Sequence, residues 1–266
     1  MKRLPRRFAP RNDAPMAVIS FLVLAGCSHV SQVKPTGLKA EDFWRDQTAR
    51  VLETESISGK VLVHYEGKKN SISGKAKFSS HTPDVRFEIK DPIGRTQCVL
   101  VLEGNLLTAY YPGEKKAYLD ENSGQAYMKK FLGMSLSVRD LQGLMLGMIP
   151  GKTKSFDSWE WDAERGLYRG EAAGKSGKLI AFVDPVRASL KEVKYEFPNE
   201  LVRIAYDDFT SCCRETSSTS VAQVVSVNME KAKTKLQLEW EEVLFDKKLN
   251  GLGISLPQDV EKISLK

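Results

Sequence analysis

Cys27 has the sequence context that most sharply dictates a chemistry. It closes the run Leu24-Ala25-Gly26-Cys27 and is followed by Ser28. Two small residues before a cysteine, behind an apolar segment, form the recognition box of the lipoprotein signal peptidase. The chemistry is attachment of diacylglycerol to the thiol as a thioether, with cleavage just ahead of the cysteine. The upstream residues fit this reading. Lys2, Arg3, Arg6, Arg7 and Arg11 make a basic leader, and Met16 to Ala25 is apolar except for Ser20. A stretch that short does not span a bilayer as a helix, which takes roughly 20 apolar residues, so it reads as a cleaved secretory signal. The surroundings of Arg6-Arg7 do not suit the twin-arginine route, which leaves the general one. Residues 1–26 are therefore expected to be removed. Residues 27–40, polar and containing Pro35 and Gly37, are expected to be the lipidated N-terminus and its tether, and residues 41–266 a single domain. One acyl chain anchors marginally and two or more anchor stably. Ser28 stands where an Asp would favour retention in the inner membrane, which points to the periplasmic face of the outer membrane.

Other reactive side chains are sparse. After cleavage the histidines are His29, His64 and His81, and none has metal-like spacing to a cysteine, so no metal and no cofactor is expected. Cys98, Cys212 and Cys213 remain. An odd count leaves one thiol without a partner inside a monomer. A bridge from Cys98 to Cys212 or Cys213, and three free thiols, are both open readings in an oxidising compartment. No Gly-x-Ser-x-Gly elbow and no phosphate-binding loop occurs, and Gly147 to Lys152 is a helix end. His64 lies in a strand pattern and His81 beside Pro83. The adjacent acids Asp207-Asp208 and Glu241-Glu242 would point to opposite faces of a strand and cannot work as a pair. A binding protein is expected here rather than an enzyme.

The net charge of +6 belongs mostly to the leader, which takes five basic residues and one acidic residue with it and leaves about +2. A nucleic-acid partner would need a clustered basic face, and none is expected.

The elements that must carry such a function read as follows. Glu41 to Glu53 has a helical pattern, with Phe43, Trp44, Gln47 and Val51 near one face. From Gly59 to Tyr118 the period is two, as in half-buried strands joined by tight turns: an antiparallel meander. Gly124 to Leu132 reads as a helix. Ser137 is a candidate N-cap for another, in which Leu141, Leu144, Met145 and Met148 share a face. Pro150-Gly151 ends it. Strands resume from Ser155 and run to Phe245, with a polar loop at 210–222. A sheet of so many strands curls, and helices can cover its apolar face. The predicted fold class is mainly β with a few helices: an unclosed, curled antiparallel barrel with helices over an apolar cavity. Phe87, Leu100, Leu141, Leu144, Met145 and Met148 are the candidates for lining that cavity. Flexible methionines suit a site that adapts to varied acyl chains, and equally an ordinary core. Asp91-Pro92-Ile93-Gly94 is a turn, and it either exposes Ile93 or folds it back into the core.

Several stretches resemble the LolB family of outer-membrane lipoprotein receptors. They are the first helix running into Ser58-Gly59-Lys60, the Asp91-Pro92-Ile93-Gly94 turn before an apolar strand, and Leu132 to Leu141 followed by Leu146 to Gly151. The resemblance covers Trp44 to Gly151 best, and the second half more loosely. It implies a LolA/LolB-like barrel with a lidded apolar cavity. It also implies a monomer that accepts acylated lipoproteins from a periplasmic LolA-type carrier. The loop Pro92, Ile93, Gly94 would then insert into the membrane, with Ile where the family commonly has Leu. Arg95 beside it would meet headgroup phosphate or only solvent. The tail beyond Asp246 is more like that of LolA-type and related lipid-binding lipoproteins. The alternative is a lipoprotein of the same fold that binds another lipid or glycolipid for envelope transport.

Overall fold

A computed structural model describes residues 35, 37–53, 56–68, 71–151, 153, 155–174, 177–211, 220–245, 249 and 251–266. The leader, Cys27, most of the tether, and Cys212 and Cys213 lie outside the described residues. Residues 31–266 form one compact unit by themselves.

In chain order the elements are helix α1 (Ala40–Glu53), strands β1 (Ser56–Glu66), β2 (Ser71–His81), β3 (Asp84–Lys90), β4 (Thr96–Glu103), β5 (Leu106–Tyr111) and β6 (Lys116–Asp120), then helices α2 (Gln125–Leu132) and α3 (Val138–Met145). The second run is β7 (Ser158–Asp162), β8 (Leu167–Gly174), β9 (Gly177–Val183), β10 (Leu190–Phe197), β11 (Glu200–Ser211), β12 (Ser220–Met229), β13 (Thr234–Phe245) and β14 (Glu261–Leu265).

All fourteen strands belong to one sheet, ordered β14-β6-β5-β4-β3-β2-β1-β13-β12-β11-β10-β9-β8-β7. β1 to β6 and β7 to β13 are each a meander, and the two join where β1 pairs antiparallel with β13. That seam dictates Gly59. A Cβ there would lie 1.9 Å from the Glu242 carbonyl oxygen and 2.9 Å from the Trp240 ring, so no other residue fits without displacing backbone. The strand ladder then slips by one residue at Lys60/Val61. The sheet stays unclosed, with β14 and β7 at its two edges.

The observed β14 differs from the expected all-antiparallel meander, because it pairs parallel with β6. A parallel neighbour needs a long crossover. The tail supplies it along β3 and β6: Arg86 donates to the carbonyls of Leu252 and Gly253, and Lys115 meets Asp259 at 2.7 Å. β14 thus covers the edge of β6 and becomes the outer strand itself.

The period-two pattern has its physical cause in one buried face. Val61, Ala76, Phe78, Val85, Phe87, Leu100, Leu102, Val193, Ile204, Val225, Val227 and Leu238 all enter a single core. Helix α3 completes it. Ser137 caps the helix as expected: its Oγ accepts from the Asp140 amide at 3.1 Å, and the Asp140 carboxylate accepts from the Ser137 amide at 2.7 Å. This reciprocal box satisfies amides that the first helical turn leaves unpaired. Gly147 (φ +67°) follows α3 at close quarters, since a Cβ there would lie 2.8 Å from the Phe209 ring. Helix α3 thus lies across the seam. Gln142 donates to Ser80 on β2 at 2.6 Å, while the other end of the segment reaches β11 and β12.

Candidate functional site

The β3–β4 hairpin holds the first candidate. The Gly94 amide donates to the Asp91 carbonyl at 2.9 Å, and the Asp91 amide donates to the Arg95 carbonyl at 2.9 Å. Gly94 has φ +87°. This is the three-residue hairpin loop in which a turn is followed by a left-handed residue, a position that favours glycine. The Asp91 carboxylate staples it. One oxygen accepts from the Ile93 and Arg95 amides at 3.0 and 2.9 Å, and the other from Arg95 Nε at 2.8 Å and Gln97 at 3.3 Å. Burial alone would raise the Asp91 pKa, but the Arg95 guanidinium and these amides outweigh it and hold the carboxyl below its ordinary value. The staple holds Ile93 at the tip, and the residue is 74 % exposed. The turn exposes Ile93; it does not return it to the core. Pro92 and Gly94 are exposed with it, as is Arg95.

Sequence reasoning missed a second loop in which an Asp carboxylate also holds backbone amides beneath an exposed apolar tip. Between β9 and β10, the Asp184 carboxylate accepts from the Val186 and Arg187 amides at 2.8 and 2.9 Å, and Val186 is 87 % exposed. The signal was present in the sequence, because Asp184-Pro185-Val186 repeats the Asp-Pro-apolar order of Asp91-Pro92-Ile93. Neighbouring strands from β3 to β10 alternate in direction, so β3 and β10 run the same way. The Ile93 loop follows β3 and the Val186 loop precedes β10, which places the two tips at opposite ends of the strands. The chain arrives at the Val186 end. Tyr168, the register partner of Val183, donates its hydroxyl to the Pro35 carbonyl at 2.9 Å.

The six cavity candidates come together in one core. Phe87 and Leu100 are register partners on β3 and β4. Leu141, Leu144 and Met145 bring the buried face of α3, and Met148 packs partly buried against the same cluster. Tyrosines hang this cover from the sheet. Tyr65 on β1 donates to the Leu132 carbonyl at 3.0 Å, Tyr206 on β11 to the Met148 carbonyl at 2.6 Å, and Tyr195 on β10 to the Pro150 carbonyl. Burial pushes all three phenols above their ordinary pKa, so they remain protonated donors.

Two further clusters involve groups weighed from the sequence. Cys98 is free and buried under Tyr111 and Tyr127, whose hydroxyls share a short hydrogen bond. Burial pushes the thiol up to about 12, which removes the thiolate a nucleophile needs. On the other face of the sheet, His64 Nδ1 lies 2.6 Å from Ser73 Oγ and its Nε2 lies 3.0 Å from Glu66. The three groups line up as serine, imidazole and carboxylate, but His64 and Glu66 are about half exposed. At high dielectric such a chain stabilises developing charge weakly. His64 and Ser73 also line a groove of about 670 Å³ beneath the Ile93 hairpin, together with Leu62, Lys75, Lys90 and Pro92. Among the described residues no cluster of His, Cys, Asp and Glu could hold a metal, and no helix is long and apolar enough to cross a membrane.

Solved structures share this architecture. A domain from Vibrio parahaemolyticus named for outer membrane lipoprotein sorting superposes with a TM-score of 0.59 at 10% identity, covering 79% of this chain and 94% of that one. A LolA superfamily protein from Nitrosomonas europaea gives 0.51 at 10% identity, covering 80% and 96%. The chain has a LolA-like fold. A DUF1329 family protein from Desulfovibrio piger shares it too, with a TM-score of 0.58 at 11% identity, covering 79% of this chain and 93% of its own. No family model and no curated protein matches the sequence.

Proposed function

We propose that this chain is a lipid-anchored receptor on the periplasmic face of the outer membrane. It takes acylated lipoproteins from a LolA-type carrier and inserts them into that membrane. Cys27 carries the anchor. The acyl chains lie between the α2–α3 cover and the sheet, against Phe87, Leu100, Leu141, Leu144, Met145 and Met148. The observation that carries the reading is the stapled hairpin with Ile93 at its tip. A rigid turn that holds a large apolar side chain in water has a natural partner in a lipid interface. The LolA-like fold and the lipidation box on Cys27 agree with it. No nucleotide is required if affinity rises from carrier to receptor to membrane.

The test is transfer. The 31–266 unit is mixed with an acylated lipoprotein held by the host's LolA-type carrier, and outer-membrane vesicles are then added. Wild type accepts the lipoprotein and releases it into vesicles. Ile93→Glu accepts it and fails to release it, whereas Val186→Glu behaves as wild type. Transfer that never leaves the carrier refutes the receptor role, and equal release by wild type and Ile93→Glu refutes the role of the tip.

A further inference from the structure

Helix α1 carries polar groups whose burial nothing described explains. Gln47 is 2 % exposed, and both its amide nitrogen and its amide oxygen have no hydrogen-bond partner among the described residues. Trp44 Nε1 is buried and in the same condition. Ser189 Oγ and Trp240 Nε1 are also orphaned, but each stands on a different strand or loop. Trp44 and Gln47 are three residues apart on one helix and therefore neighbours on its surface. They share the face of Phe43, which is fully buried in the core and stacks on Phe156 and Trp159 at ring separations of 5.9 Å. This face looks into the same core as the proposed acyl site.

Buried polar groups are nearly always satisfied, and an exception calls for a partner. The chemistry of that partner follows from the donors present. Gln47 offers two N–H bonds and Trp44 one, against a single amide oxygen. The set is rich in donors and uncharged. It would reject a carboxylate or phosphate, whose burial needs a cation, and it suits neutral acceptors. Within an apolar core the matching group is the carbonyl oxygen of an ester.

We propose that Gln47 and Trp44 form the polar subsite of the acyl-binding core. They donate hydrogen bonds to the ester carbonyls of a diacylglyceryl group whose chains lie in the apolar part. This inference rests on the acyl-binding reading above and names the part of the ligand that gives it specificity. The subsite distinguishes an esterified diacylglyceryl group from a bare hydrocarbon of equal length, which the apolar residues alone cannot do.

The test compares two dye-labelled lipopeptides of equal chain length, one with S-diacylglyceryl cysteine and one with its dialkyl ether analogue, which lacks the carbonyls. Each is titrated into the 31–266 unit of wild type and of Gln47→Leu. Wild type should hold the ester about three- to tenfold more tightly than the ether, as one net hydrogen bond implies. Gln47→Leu should lose most of that preference, keeping at most the share that Trp44 gives, and also melt higher, by roughly 2–8 °C, because an unsatisfied buried amide is gone. A structural role for Gln47 predicts the opposite, lower melting with the ester preference intact, and that result overturns the proposal. Gln47→Met repeats the comparison should the leucine variant not fold. Wild type that binds both probes equally overturns this inference alone. Wild type that binds neither overturns the acyl-binding reading and this inference with it.

Discussion

Leu144→Ala tests whether α3 faces the acyl chain. Leu144 is fully buried on α3, which packs on β12. The substitution removes three carbon atoms whose burial stabilises by about 0.8 kcal/mol each, and the unfilled space adds to the loss, giving about 2–5 kcal/mol in all. At about 3 kcal/mol the melting temperature falls by roughly 6–12 °C for a unit of this size. A bound acyl chain can occupy the vacated space. It then recovers about 1–2 kcal/mol, so the variant binds an acylated ligand roughly 5- to 30-fold more tightly than wild type. Leu190→Ala is the control, because Leu190 is equally buried but lies on β10, two strands beyond β12. It should lose similar stability and gain no affinity. The assay is thermal unfolding with and without a diacylated lipopeptide, read as the ligand-induced rise in melting temperature. That rise should be larger in Leu144→Ala than in wild type or Leu190→Ala. Equal rises in all three would refute the placement of the acyl chain under α3.

Two further outcomes follow from hydrogen bonds in the site. Asp91 has a lowered pKa in the folded hairpin, so its staple contributes fully above the ordinary aspartate value and is lost as pH falls through the lowered one. The Ile93 and Arg95 amide resonances should therefore shift below the ordinary value of about 3.9 in wild type and not in Asp91→Asn; a transition above that value contradicts the staple. Ser137→Ala removes the box at the start of α3 and should cost about 1 kcal/mol, or roughly 2–4 °C in melting temperature, so an unchanged melting curve would show that the cap contributes nothing.

What the sequence made legible was local. Alternation at Val85, Phe87 and Ile89 marks β3, and the spacing of Leu141, Leu144 and Met145 marks α3, because each pattern follows from one buried face. Ser137 was readable as a cap, and Asp91-Pro92-Ile93-Gly94 as a turn, because both are built within a few residues. That the strands make one curled, unclosed sheet was expected, but which strands join the two meanders was not readable. Pairing of β1 with β13 spans most of the chain, and its only local trace is Gly59, whose need appears only against Glu242 and Trp240. Strand β14 escaped for a related reason: Glu261–Leu265 is short and half exposed, and its partner is the edge of β6. Gln47 could be placed on the buried face of α1, but its lack of a partner is a property of the folded core. The line of Ser73, His64 and Glu66 likewise depends on the register of β1 with β2.

The way α2 and α3 are attached bears on how the core could exchange ligand. Their apolar face is held by burial, a force without direction that an acyl chain of similar area can replace. Directional ties add to it. Tyr65, Tyr206 and Tyr195 each give one hydroxyl to a carbonyl at or beyond a helix end, Gln142 donates to Ser80 and Thr82, Arg139 donates to the Pro83 and Gly104 carbonyls, and Tyr127 shares a hydroxyl bond with Tyr111 while its amide donates to Asp120. At about 1 kcal/mol net per bond, releasing these nine costs on the order of 9 kcal/mol, while the ladders of the fourteen-stranded sheet stay intact. An acyl chain entering beneath α3 would have to offset these nine bonds as well as take over the contacts that α3 gives up, so entry is opposed chiefly by the directional ties, which apolar burial cannot replace.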